Sequence, residues 1–255
     1  MIPVFVINLA RSTDRRAATT RALAARGIVP EFVTAVDGAG LDMSPELAIT
    51  QPHLGRPLSR GEVGCLHSHL MALRSVVANQ LPLACIVEDD VDYGEDFDKV
   101  LRAIAAEQHR SWDILLLGHH SARHAPAQGA EIAFARKALT HERQIGRVVE
   151  FAMGAYAYVV TTRGAAMLTE FADPLRMPMD WVTGYSPAEN ARLFAVTPPC
   201  ATPVGSGADV TTIDGRASGP PRDASPIDHA RAIGGRLWLL ARKAGLWPDS
   251  YVRDF

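Results

Sequence analysis

Glu88, Asp89, Asp90 and Asp92 crowd into one short segment directly after the apolar run Leu83–Val87. Carboxylates this close repel one another, and burial raises their pKa values. A hard divalent cation relieves both costs, because Mg²⁺ and Mn²⁺ prefer carboxylate oxygens. Such an ion also keeps coordination positions for phosphate oxygens. The chemistry that fits is a metal-dependent reaction on a nucleotide-linked or phosphorylated substrate. The plainer reading is a solvated acidic turn after a strand, and a lone D-x-D pattern does not separate the two.

The elements that would position these acids follow from periodicity. Val4–Leu9 reads as a buried strand, and Ser12 or Thr13 can cap a helix running to about Arg26, with Gly27 suited to its C-terminal turn. Phe32–Val36 reads as a second strand closed by the turn pair Asp37-Gly38, and this strand–helix–strand opening predicts a parallel α/β sheet. Residues 39–58 read mostly as loop. Ser59 and Glu62 have capping-box spacing ahead of a helix over 60–79, whose stripe is Leu66, Leu70, Leu73 and Val77. Leu83–Val87 is the third strand, Phe97–Gln108 a helix and Trp112–Leu117 a fourth strand ending at Gly118-His119-His120. Residues 119–147 read as loop with short β pieces, Ala155–Thr161 as a strand, Arg163–Phe171 as a helix, and Pro174–Tyr185 as irregular. In open α/β sheets ligands bind beyond the carboxyl ends of the strands. Asn8, Asp37, Glu88 to Asp92 and His119 all fall there, so parallel strands would turn them toward one crevice.

Composition sets outer bounds. The chain of 255 residues, 47% apolar and 21% charged, can bury a sizeable core. A net charge of −2 does not suit a nucleic-acid binder. Three cysteines, Cys65, Cys85 and Cys200, without C-x-x-C spacing argue against a disulfide framework or a zinc site; Cys65 and Cys85 read as small buried hydrophobes. Reduced thiols fit the cytoplasm. The apolar start lacks a basic flank and reads as a strand, not a signal peptide, and no stretch is long enough for a spanning helix.

Three ordered segments carry a resemblance: Val6–Arg16 with Ala35–Gly38 after it, Leu58–His69 (L-S-R-G-E-V-G-C-L-H-S-H), and Ile86–Val91 (I-V-E-D-D-V). A weaker fourth is Gly154–Val160 followed by Pro178-Met179-Asp180. Together, from about residue 2 to 183, they resemble glycosyltransferase family 25, which includes lipooligosaccharide and collagen galactosyltransferases. The resemblance implies a GT-A fold, an α/β nucleotide-binding sandwich with a mostly parallel central sheet. It implies transfer of a hexose, typically galactose from UDP-galactose, to a glycan, lipid-linked glycan or hydroxyl acceptor, with inversion and with Mn²⁺ or Mg²⁺ as cofactor.

Carried onto this chain, the resemblance makes Asp90 a metal ligand, with Asp92 extending the cluster, and has Glu88 or Asp89 reaching the ribose or a metal-bound water. Asn8 and Asp37 end strands on the donor side. Arg11, Arg15 and Arg16 follow the first strand, where a guanidinium fork suits a diphosphate, although most arginines in a first helical turn are solvated. Asp180 is the candidate general base, beside Trp181, which could stack on a sugar; the alternative is that Asp180 caps a helix starting at Trp181. Glu189 and Asp209 stand behind it as bases. His67 and His69 are two apart and face differently on a helix, so His69 is the site candidate, against the reading of a buried structural histidine. His119-His120 could touch donor or acceptor or lie on loop surface. No late histidine ligand is assigned, since His229 sits in a Pro-rich context.

The division expected is a transferase domain over 1–215 and a basic tail over 216–255. The linking stretch 198–227 is rich in Pro, Gly, Ser and Thr, and a helix is expected over 231–244. The tail carries seven Arg or Lys against four Asp, with Trp238, Trp247 and Tyr251, and could lie on an anionic inner-membrane face or dock on its own domain. Competing functions are a Mg²⁺-dependent phosphotransferase, for which Asp90-Val91-Asp92 would serve, a receiver domain, whose residue layout does not fit, and a degenerate transferase that binds nucleotide-sugar without turnover.

Overall fold

The structure is a computed structural model, and it describes residues 2–42, 57–120, 129–130, 132–148, 152–172, 178–184 and 192–204. In chain order the elements are β1 (Val4–Asn8), α1 (Thr13–Ala24), β2 (Glu31–Thr34), α2 (Arg60–Ala78), β3 (Leu83–Glu88), β4 (Val91–Tyr93), α3 (Phe97–Ala106) and β5 (Ile114–Leu116). They continue with β6 (Ile132–Ala138), β7 (Gln144–Val148), β8 (Ala157–Thr161), α4 (Thr162–Phe171), α5 (Met179–Gly184), β9 (Leu193–Thr197) and β10 (Ala201–Pro203).

Eight strands form one sheet in the order β2-β1-β3-β8-β5-β9-β7-β6, and β10 pairs with β4 in a separate ribbon. β1 runs parallel to β2 and β3, and β5 parallel to β9. β8 opposes β3 and β5, and β7 opposes β9 and β6. The sheet is therefore mostly parallel by strand direction, with β7 and β8 reversed. The expected α/β sandwich is the one observed.

Burial on both faces explains the strand sequences. Along β3 the side chains alternate: Ala84 and Ile86 enter the core beneath α2, whereas Leu83, Cys85 and Val87 enter the core beneath α3. The first core is closed by Leu66, Leu70, Leu73 and Val76 of α2 and Leu168 of α4; the second by Leu23, Phe97, Val100, Ile104 and Trp112.

Helix starts follow local chemistry. At α2 the capping box forms, Ser59 Oγ accepting from the Glu62 N–H at 3.2 Å and Glu62 Oε2 accepting from the Ser59 N–H at 2.8 Å. Gly64 brings this helix against the turn after β2; a Cβ there would lie 2.7 Å from the Val36 carbonyl oxygen. At α1 neither Ser12 nor Thr13 caps through its side chain; Ser12 takes the cap position, and its carbonyl accepts from Arg16 N and from the Asn8 side chain. Gly27, at φ +67°, ends the helix as its sequence position suggested.

Several segments differ from the sequence reading. The stretch read as loop with short β pieces holds the hairpin β6–β7, and Met179–Gly184 is a short helix where irregular chain was expected. β4, β9 and β10 carried too few residues or too little periodicity to stand out. Asp113 belongs to no sequence motif, yet it is buried and accepts from Arg163 at 2.8 Å and from the Arg192 N–H at 2.9 Å, pinning α4 to the entry of β9. Among the described residues no helix is long and apolar enough to cross a membrane. The expected domain boundary at 215, the helix over 231–244 and the basic tail lie outside the described residues.

Candidate active site

The carboxyl ends of β1 and β3 lie side by side, with Ile7 opposite Glu88. This register brings Asn8 to the acidic segment. Asn8 is 2% exposed, and its side-chain amide donates to Asp89 Oδ2 at 2.6 Å and to the Ser12 carbonyl at 3.1 Å. Arg15 of α1 donates to Asp89 Oδ1 at 2.9 Å and reaches Asp90 Oδ2 at 3.3 Å. Thr19, one turn on, donates to the Asp89 main-chain carbonyl at 3.0 Å. Both carboxylate oxygens of Asp89 are thus engaged by the protein itself. Asp89 fastens the acidic turn to β1 and α1.

Asp90 has a different environment. Burial, then the charges of Glu88 and Asp89, push its carboxyl up to about 7 against the opposing pull of Arg15. A carboxylate held near neutrality by its neighbours is a place where a cation would displace a proton. Its main-chain carbonyl accepts from Val204 N at 2.7 Å. Asp92 is the exposed residue of β4, between buried Val91 and Tyr93 and opposite Thr202 of β10. Arg26 supports the same ribbon by donating to the carbonyls of Tyr93 and Gly94, at 2.6 and 3.1 Å.

The remaining candidates separate into those that join this cluster and those that do not. Arg11 pairs with Asp37, which also accepts from Ala39 N at 3.0 Å, so these two link the turns after β1 and β2 at the surface. Arg16 lies over the Phe32 ring at 3.8 Å and is occupied there. His69 is fully buried in α2; Nδ1 lies 3.0 Å from the Tyr158 hydroxyl and Nε2 3.2 Å from Glu88 Oε1. Cys65, one turn earlier, packs against the core as a hydrophobe but is half-buried where full burial was expected, with Sγ 3.9 Å from the same oxygen. Cys85 and Cys200 are buried, as expected of Cys85.

Asp180 sits in the first turn of α5. Its Oδ1 accepts from Ala155 N at 2.9 Å, directly after Gly154, whose φ of +131° only glycine readily adopts. Tyr156 follows Ala155, and its main-chain carbonyl accepts from Glu88 N at 2.9 Å. Burial, then the charges of Asp180 and Glu88, push its hydroxyl well above the ordinary tyrosine range. That hydroxyl is buried without a hydrogen-bond partner among the described residues, an arrangement that leaves a donor for a ligand oxygen. Tyr156 stood inside a quoted motif, yet its type alone gave no sign of a role.

His119 does not join the site. It is buried, Nε2 donates to the Val196 carbonyl at 2.7 Å and Nδ1 accepts from Ala130 N at 2.8 Å. These bonds fix a neutral ring, and burial pushes its pKa down to about 4. His119 pins β5 to β9 and has no nitrogen left for substrate. Glu189, Asp209 and His229 lie outside the described residues.

Residues 1–183 match the family described as glycosyltransferase family 25 (LPS biosynthesis protein). Procollagen galactosyltransferase 1 of Danio rerio is 31% identical over 198 residues, which cover 69% of this chain and 30% of that protein. Procollagen galactosyltransferase 2 of Homo sapiens is 32% identical over 126 residues, 45% of this chain and 20% of that protein. A probable inactive glycosyltransferase 25 family member 3 of Rattus norvegicus is 38% identical over 128 residues, 45% of this chain and 22% of that protein. The chain spans less than a third of these relatives' length.

Proposed function

The chain belongs to glycosyltransferase family 25, and from that premise we propose that it moves a hexose, galactose from UDP-galactose, onto a saccharide or other hydroxyl acceptor with inversion. The observation that carries this reading is the meeting of Glu88, Asp89 and Asp90 with Asn8 and Arg15 at the adjacent carboxyl ends of two parallel strands, where α/β sheets take nucleotides.

The donor set fits a hard divalent cation, Mn²⁺ or Mg²⁺. Asp90 would hold it, Glu88 or Asp92 would complete its carboxylate environment directly or through water, and Asp89 keeps the turn in place. Bound there, the cation supplies Lewis-acid stabilisation of the charge on a leaving diphosphate. The chain's own groups do the rest. Arg15 holds Asp89 and lies beside Asp90, so the acidic turn is preorganised. Arg11 and Asp37 pair across the turns after β1 and β2, where a donor could reach them. Tyr156 offers its hydroxyl to a sugar or acceptor oxygen. Asp180 takes the proton of the acceptor hydroxyl as that oxygen bonds to the anomeric carbon, and the bond from that carbon to the phosphate oxygen breaks with its electron pair leaving on UDP.

The test is a thermal shift with UDP, GDP and CMP and their sugars, with and without Mn²⁺. UDP stabilisation that requires metal and vanishes in Asp90→Asn supports the reading. Stabilisation by CMP-sugars alone overturns the donor. A binding protein without turnover is the second reading, favoured by the similarity to relatives named inactive. Slow hydrolysis of UDP-galactose in the absence of acceptor separates the two.

A further inference from the structure

The trio behind the acidic turn has the layout of a second and softer metal site. Cys65 and His69 are four residues apart on α2 and therefore stack on one face of the helix. Glu88 meets them from the end of β3. One ligand atom from each, Cys65 Sγ, His69 Nε2 and a Glu88 carboxylate oxygen, all lie within 4.8 Å of one another. Two edges of this triangle are short: 3.2 Å from His69 Nε2 to Glu88 Oε1, and 3.9 Å from Cys65 Sγ to the same oxygen. A tetrahedral zinc ion with bonds of about 2.0–2.3 Å spaces neighbouring ligand atoms roughly 3.3–3.7 Å apart. The side chains need to move only by tenths of an ångström along these edges to match.

The surroundings supply what such a site requires. A metal-bound histidine has its second nitrogen held by a hydrogen bond that fixes the ring. Here Nδ1 faces the Tyr158 hydroxyl at 3.0 Å, and the two rings stack 5.8 Å apart. His69 is fully buried, so its ring cannot swing away. The Glu88 side chain keeps about 30% of its surface exposed, so water could supply a fourth ligand. Sulfur and imidazole select against Mg²⁺ and Mn²⁺ and in favour of zinc-class ions.

We propose that Cys65, His69 and Glu88 bind a thiophilic divalent cation of the zinc class, at a site separate from the hard-cation site at Asp90. The thiol gives up its proton as the metal–sulfur bond forms. Because Glu88 is shared by the two neighbourhoods, occupancy holds its carboxylate against α2 and withdraws it from the donor side. Zinc therefore inhibits the transferase, a consequence that rests on the function proposed above, whereas binding itself does not.

The experiment is titration of Co²⁺ into the full chain, followed by absorption. The expected result is a thiolate-to-cobalt band in the near ultraviolet that saturates at one equivalent and is erased by Zn²⁺. Asp90 and its neighbours offer only oxygen and give no such band. Cys85 and Cys200 are fully buried, so a sulfur signal reports Cys65. Cys65→Ser abolishes the band, and Glu88→Gln weakens cobalt binding at least tenfold. A missing band, or one that survives in Cys65→Ser, overturns the proposal and leaves the trio as a device that aims Glu88. A parallel assay follows Zn²⁺ inhibition of UDP-galactose turnover in excess Mn²⁺, with relief expected in Cys65→Ser. A cobalt band in a chain that turns over no nucleotide-sugar keeps the site and rejects the transferase; turnover without the band does the reverse.

Discussion

The Asn8 amide donates to Asp89 across 2.6 Å, joining the last residue of β1 to the acidic turn that begins as β3 ends. The bond is buried on the Asn8 side, and Arg15 takes the other carboxylate oxygen. Removing the carboxylate takes one acceptor from a buried amide and one from the Arg15 guanidinium. Asp89→Ala therefore lowers unfolding stability by about 2–4 kcal/mol, and Asp89→Asn by less, since it still presents one oxygen. Urea denaturation measures both. An alanine variant as stable as the parent would show that the turn does not depend on this fastening.

Asp90 differs in kind, because its contacts inside the protein are weaker and its carboxyl is raised by its neighbours. Asp90→Asn removes a like charge and leaves the apo protein at least as stable as the parent. It abolishes stabilisation by UDP with Mn²⁺, which for the parent at a ligand concentration a hundredfold above Kd amounts to about 2.7 kcal/mol. Differential scanning calorimetry with and without the pair of ligands checks both halves.

Asp180 allows catalysis and structure to be separated. Asparagine keeps an oxygen for the Ala155 N–H, so Asp180→Asn preserves the bond that seats α5. Its melting temperature stays within a few degrees of the parent, while kcat falls by roughly 10²–10⁴ with KM for the donor little changed. A kcat within twofold of the parent would move the base to Glu189 or Asp209.

His119 predicts an acid limit. Its folded-state pKa, about 4, lies below the ordinary value of 6.5, so the unfolded chain binds the proton more readily. The stabilisation is complete above pH 6.5 and declines as pH falls toward 4, by roughly 3 kcal/mol in all. His119→Gln keeps a donor for Val196, loses the acceptor for Ala130, starts from lower stability and shows a flatter acid slope. Chemical denaturation at a series of pH values would reveal a parent slope no steeper than that of the variant if this account is wrong.

The sequence carried the first half of the sheet well, because β1, α1, β2, α2 and β3 have strong periods and a capping box that forms as spelled. One rule, the carboxyl ends of parallel strands, indicated where the candidate residues gather, and Asn8, Glu88 and Asp90 lie together at the ends of β1 and β3. His119 followed the same rule and still failed as a ligand, since its fate is decided by Val196 and Ala130, both distant in sequence. The division of labour within the acids was equally invisible. Asp89 and Asp90 are neighbours of one type, and only the fold turns one inward to Asn8 and leaves the other strained by charge. Cys65 looked like packing because a helical stripe says which residues are apolar, not which strand end lies opposite. β4, β9 and β10 depend on partners far along the chain, and β10 has only three residues to announce itself.

The ribbon of β4 and β10 has a practical corollary. The acids sit in a loop whose far side is stitched to Ala201–Pro203 and whose Asp90 carbonyl is held by Val204. The matched family segment stops at 183, so a designer trimming to it would cut away this stitching along with β9. Any minimal version of this fold must run at least through Val204, and a tag fused immediately after that residue would be tethered beside the acidic turn.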